Sequence, residues 1–262
     1  MSDDLMETDN DLVPLLRKCD NNDLSPLVSY ITKKGRISSH LDRTNISKKN
    51  PSNHKMYADE VAAEIQKCGG NTITNKGRRG KGVPYKEIVC DVAKRLKVNF
   101  NKKREVEFIE QQILLKVLEK SWEKMGDEEK MRFMEGLGDE YKSMPIPKIF
   151  PAKAFGAFAI KGDLTPYNIA VTVANASAEA LLGKVVPLAA GAVGIAGPIG
   201  WAITAIWTIF DIAKPAYRVT IPCVLHIAML RQKYMLEEQG MDVSGGLPGG
   251  FANKMPESDI SA

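Results

Sequence analysis

Histidine and cysteine are both scarce in this chain, at three and four residues of 262. His40, His54 and His226 have no metal-ligating residue at i+3 or i+4, so no helix-borne metal site is spelled out. Cys19, Cys68, Cys90 and Cys223 form no CxxC pair, and each lies in or beside a helical pattern. They read as buried, reduced thiols. The motifs GxSxG, HExxH, DxDxDG and GxxxxGK[ST] are missing. A ferritin-like centre fails as well, because Glu107 and Glu110 are not matched by a Glu-x-x-His. No catalytic residue, metal ligand or cofactor is therefore assigned, and the expectation is a protein that is not an enzyme. Strand-like alternation and internal repeats are also lacking, which leaves an all-α fold. The N-terminus has no apolar core of the kind a secretory signal needs, so a cytoplasmic start is expected.

What is present is unevenly placed. The net charge is only +4, but residues 1–11 carry Asp3, Asp4, Glu7, Asp9 and Asp11 with no base, while 76–104 carries eleven bases against Glu87 and Asp91. Charge then thins out from Pro151 onward, and from Val185 to Phe210 no residue is charged.

Apolar spacing divides the chain into helices. Residues 11–34 read as a small hairpin, with Leu12, Leu15 and Leu16 on one face and a second helix starting at Asp23. Tyr57, Val61, Ala62 and Ile65 line a helix over 54–67, ended by Gly69 and Gly70. Pro84 opens a helix that runs to Leu96. The segment 103–125 has a broad apolar face containing Phe108, Ile109, Ile113, Leu114, Val117, Leu118 and Trp122, with Glu105, Glu107, Glu110, Lys116 and Lys120 expected in water. Shorter helices follow at 127–141 and 166–182, and a last one at 217–238 passes through Pro222. His226, on the apolar part of that helix, reads as a core residue. The organisation expected is an acidic leader and hairpin (1–34), a basic amphipathic domain (35–147), an apolar domain (148–240) and a disordered tail (241–262).

The uncharged stretch 185–210 is long enough to qualify as a membrane span, for which about 18–20 apolar residues are needed. Pro198 splits it, and the preceding Gly197 is pushed away from helical geometry. Each half is then roughly 12–15 residues, too short to cross a hydrocarbon core of about 30 Å. A Gly-rich apolar helical hairpin is expected instead. Gly191, Gly194, Gly197 and Gly200 permit close packing, and Trp201 and Trp207 suit a lipid interface. Three readings stay open: a hairpin that meets membrane on a trigger, plain core, and a constitutive span.

Lys76, Arg78, Arg79 and Lys81 stand among Gly77, Gly80 and Gly82, where backbone N–H groups can approach an anion closely. Lys94 and Arg95 extend this basic stretch, with Lys97, Lys102, Lys103 and Arg104 beyond them. Anionic lipid headgroups, nucleic acid and a merely solvated loop are the alternatives here.

Three stretches carry a resemblance. They are 68–76 with 83–88 and 91–96; 107–113 leading to 122–125; and 197–200 with 216–222. In order and spacing they resemble the bacterial YaaW family, over roughly residues 10–236. The resemblance implies a helical, cytoplasmic protein without known catalytic residues. Some YaaW-like proteins serve in anti-phage defence of the jumbo phage killer type, in which a sensor acts with a co-encoded partner against an early lipid-enclosed phage compartment. The expectation is a helical bundle that engages an anionic membrane or vesicle conditionally and peripherally, through the basic loop and the hairpin, with a protein partner. Nucleic-acid binding and a soluble interaction scaffold are the alternatives, and oligomerisation is left open.

Overall fold

A computed structural model describes residues 9–34, 52–70, 82–137, 143, 145–148, 150, 165–182, 216–241 and 243. Every regular element among them is helical. In chain order these are α1 (Val13–Lys18), α2 (Asn21–Lys34), a 3₁₀ turn (His54–Tyr57), α3 (Ala58–Gly70), α4 (Tyr85–Arg95), α5 (Val106–Trp122), α6 (Asp127–Leu137), α7 (Thr165–Leu182) and α8 (Tyr217–Glu238). The all-α expectation holds.

The helices start and stop for local reasons. α2 begins two residues earlier than its sequence suggests, because Asp20 and Asp23 cap it reciprocally: the Asp23 N–H donates to Asp20 Oδ1 at 2.8 Å and the Asp20 N–H to Asp23 Oδ2 at 3.3 Å. Pro26 lies inside the helix as a result. The first N–H of α4 donates to Asp9 Oδ2 at 2.7 Å, a cap supplied from the far end of the chain, and Gln66 Nε2 donates to the same oxygen. Gly69 lies within α3, where an added Cβ would come 2.4 Å from Ile88 Cγ1, so close contact between α3 and α4 requires glycine there.

α8 is the axis of the bundle. It packs most extensively on α7 and also touches α2, α3, α4 and α5. Residues 219–230 of α8 are buried without interruption, so this half of the helix is apolar nearly all round, as a surrounded helix must be. Pro222 is accommodated within its first turns. One core runs through all of it, from Leu12, Leu16 and Leu24 through Ile65, Val89 and Ile113 to Val173, Val224 and Leu230. The link after α6 is pinned to that core by Trp122, whose Nε1 donates to the Pro147 carbonyl at 3.1 Å and whose ring meets Phe150 edge-on.

Candidate functional site

The basic stretch and the apolar stretch were the two expected sites. Lys76, Arg78, Arg79 and Lys81 lie outside the described residues, as do Gly191, Gly194, Gly197, Pro198, Gly200, Trp201 and Trp207. Among the described residues no helix is long and apolar enough to cross a membrane.

The described part of the basic stretch is the turn from α4 into α5. The Val98 N–H donates to the Ala93 carbonyl at 2.9 Å and the Lys97 N–H to the Lys94 carbonyl at 3.1 Å, which closes α4 in a Schellman motif. The left-handed position of that motif usually holds glycine. Here it holds Lys97, at φ 56°, the one non-glycine residue with positive φ among the described residues. The turn continues with the Lys103 N–H donating to Asn101 Oδ1, and the Arg104 guanidinium stacks 4.4 Å from the Phe108 ring centre. Lys97, Lys102, Lys103 and Arg104 are exposed, and residues 96–104 contain no carboxylate.

Two of the expected basic residues, Lys94 and Arg95, fall among the described ones. Lys94 donates to Asp91 at 3.0 Å, and that hydrogen bond raises its pKa. Arg95 is half-buried with its guanidinium 5.3 Å from the Tyr217 ring centre. Gly82, the first described residue after 71–81, lies at the other end of α4. There Gly82 presses against α3 so closely that a Cβ would meet Gln66 Cβ at 2.8 Å. A helix as long as α4 spans roughly 16 Å, so Gly82 and the 97–104 turn stand at opposite ends of it.

A polar seam inside the bundle was not expected. Glu110, read from the sequence as a water-facing residue, is 2% exposed. Arg231 Nε donates to its Oε2 at 2.8 Å and the Tyr85 hydroxyl to its Oε1 at 2.7 Å. Arg231 also donates to the Asp11 carbonyl and lies 3.5 Å from Glu107. Burial pushes the Glu110 carboxyl above its ordinary range against the pull of Arg231. An arginine keeps its proton at any ordinary pH, so the guanidinium requires a counter-charge, and Glu110 and Glu107 are the carboxyl groups placed against it.

A second cluster ties α2 to α8. Buried Asp23 accepts from Lys233 Nζ at 2.9 and 3.0 Å and from the Tyr234 hydroxyl at 2.6 Å. Burial works against the Lys233 charge, but the Asp23 carboxylate outweighs it and the lysine pKa is raised. His226 Nε2 donates to the Asp23 main-chain carbonyl at 2.8 Å, so Nδ1 is the bare nitrogen. Burial lowers the His226 pKa to about 4. Its Nδ1 and the hydroxyl of Tyr30, whose ring meets it edge-on, are buried without partners.

Neither cluster is arranged for nucleophilic or acid–base chemistry. Both Glu110 oxygens are engaged, and burial pushes the thiols of Cys19 and Cys68 up to about 12. All four cysteines are free thiols, three of them buried and Cys68 partly so. These groups hold helices together, and the bases of the 97–104 turn stay exposed.

Relatives share this chain almost end to end. A UPF0174 protein of Helicobacter pylori is 38% identical over 235 residues, which cover 86% of this chain and 92% of the relative. The chain belongs to the UPF0174 family. Another UPF0174 member, the protein YaaW of Escherichia coli, is 33% identical over 233 residues, 86% of this chain and 94% of its own. The resemblance to YaaW read from the sequence is thus correct. A family model described as ubiquinol-cytochrome C chaperone matches residues 59–230, most of the chain, which places this UPF0174 member in that family too. No solved structure matches.

Proposed function

We propose that this UPF0174 member is a non-enzymatic binding protein that docks peripherally on anionic lipid from the cytoplasmic side. The observation that carries the reading is the turn 97–104. It presents four bases and no carboxylate, and it keeps a lysine at a left-handed position where glycine would be relaxed. Strain retained at such a position is a pointer to function. Each base near an anionic leaflet adds about 1 kcal/mol of attraction. The bases of 76–81 and the uncharged stretch 185–210 supply further charge and an apolar segment for lipid contact. Anti-phage defence with a co-encoded partner is the cellular role we propose, on the resemblance to jumbo phage killer-type proteins alone.

The test is flotation of the purified protein with phosphatidylglycerol vesicles and with neutral phosphatidylcholine vesicles at two salt concentrations. Flotation with the anionic vesicles only, lost when Lys97, Lys102 and Lys103 are together replaced by Glu, is the expected result. Absence of flotation under every condition, or retention on DNA or RNA in preference to vesicles, would overturn the reading. The description of the matching family model favours a second reading, a chaperone for another polypeptide, which predicts a stable complex with a protein client and none with lipid.

A further inference from the structure

The contact of α2 with α8 is built differently from that of α7 with α8. α7 buries Ala170, Val171, Val173, Ala174 and Ala178 together with the uncharged polar Thr172, Asn175 and Ser177, and carries no buried charge among its described residues. α2 meets α8 through a buried ion pair, a neutral buried imidazole and two polar atoms without partners. A buried ion pair contributes little net stability, yet it fails abruptly when one partner is taken away. The partnerless His226 Nδ1 and Tyr30 hydroxyl lose stabilisation while buried and regain it when wetted. Lys233 is the accessible member, its side chain 19% exposed against 4% for Asp23. At the end of α8, Lys18 and Glu238 form a further, exposed pair.

We infer that Asp23 and Lys233 form an exchangeable latch, in which phosphate groups of an anionic bilayer replace Asp23 as the counter-ion of Lys233 and release α2 from α8. This inference rests on the lipid reading above and adds its regulation. Release wets the polar atoms at this contact, the His226 imidazole and the Tyr30 hydroxyl, both fully buried when the latch is closed. α8 stays on α7, since that interface has no exchangeable charge in it. α2 also packs on the 3₁₀ turn, α3 and α7, so opening is a local loosening of its α8 side, where the polar contacts converge on one residue, Asp23.

The experiment is hydrogen exchange by mass spectrometry on the full chain, alone, with phosphatidylglycerol vesicles, with neutral vesicles and with inorganic phosphate. Asp23→Asn, which keeps the main-chain carbonyl for His226 but removes the charge, should speed exchange several-fold in α2 and the second half of α8 without lipid, and leave α4 and α5 protected. Anionic vesicles should do the same to the wild-type chain. The double change Asp23→Asn with Lys233→Met, which leaves no buried charge, should restore protection and remove the response to vesicles. Uniform loss of protection in all helices, no change in α2, or an equal response to inorganic phosphate would each overturn the latch. Local opening in Asp23→Asn without flotation of any variant would uphold the hinge between α2 and α8 but overturn lipid as its trigger. That outcome separates a failure of the latch from a failure of the lipid reading.

Discussion

At the scale of single residues the energetics are set by a few buried polar groups. Glu110→Ala would leave the Arg231 guanidinium with only the half-exposed Glu107, 3.5 Å away, as counter-charge, so it should cost about 3 kcal/mol in urea denaturation, the low end for a broken buried pair. Pairing Glu110→Leu with Arg231→Met should recover most of that loss, because an apolar pair of similar volume needs no counter-charge. His226 gives a pH dependence whose sign is fixed. Its folded pKa, about 4, lies below the ordinary 6.5, so the unfolded chain binds the proton more readily. Its contribution is therefore complete above 6.5 and is lost as pH falls from 6.5 towards 4. At about 1.4 kcal/mol per unit this amounts to roughly 3 kcal/mol. The difference in unfolding free energy between wild type and His226→Gln, followed from pH 7 to pH 4, measures it; Gln keeps a donor for the Asp23 carbonyl and does not titrate. A flat difference would mean that His226 does not resist protonation.

At the scale of elements, the ends of α4 are where geometry is tightest. Lys97→Gly should relieve the left-handed strain and raise stability by up to about 1 kcal/mol, while weakening salt-sensitive vesicle binding. A gain in stability combined with a loss of binding is the signature expected of strain retained for function. Gly82→Ala should act in the opposite direction, since the new Cβ would lie 2.8 Å from Gln66 Cβ and 3.1 Å from its backbone carbon. Overpacking of that kind costs typically about 1–3 kcal/mol, readable as a lowered thermal midpoint. The helices themselves were largely legible. The expected 217–238 is observed as α8, and α7 differs by one residue at its start. α5 starts three residues later than its pattern, because Asn101 accepts from the Lys103 N–H and holds the basic residues in a turn. The early start of α2 was hidden because Asp20 reads as loop until its reciprocal bond with Asp23 is seen.

At the scale of the whole molecule, the helices are arranged around α8, and contacts distant in sequence decide the arrangement. Asp9 caps α4 from the acidic leader, Asp11 and Glu110 both serve Arg231, and Asp23 serves Lys233. The sequence alone determined the all-α class, the periodic core faces, the buried character of most of the thiols and the family, since each depends on local spacing or on order along the chain. It left the role of Glu110 wrong: a carboxylate on an amphipathic helix reads as wet until a guanidinium 121 positions later is folded against it. Only the tertiary structure decided which charges are buried as partners and which face the solvent, because the pairing energy of a charge depends on distance through space and on exclusion of water, and neither is written in neighbouring residues.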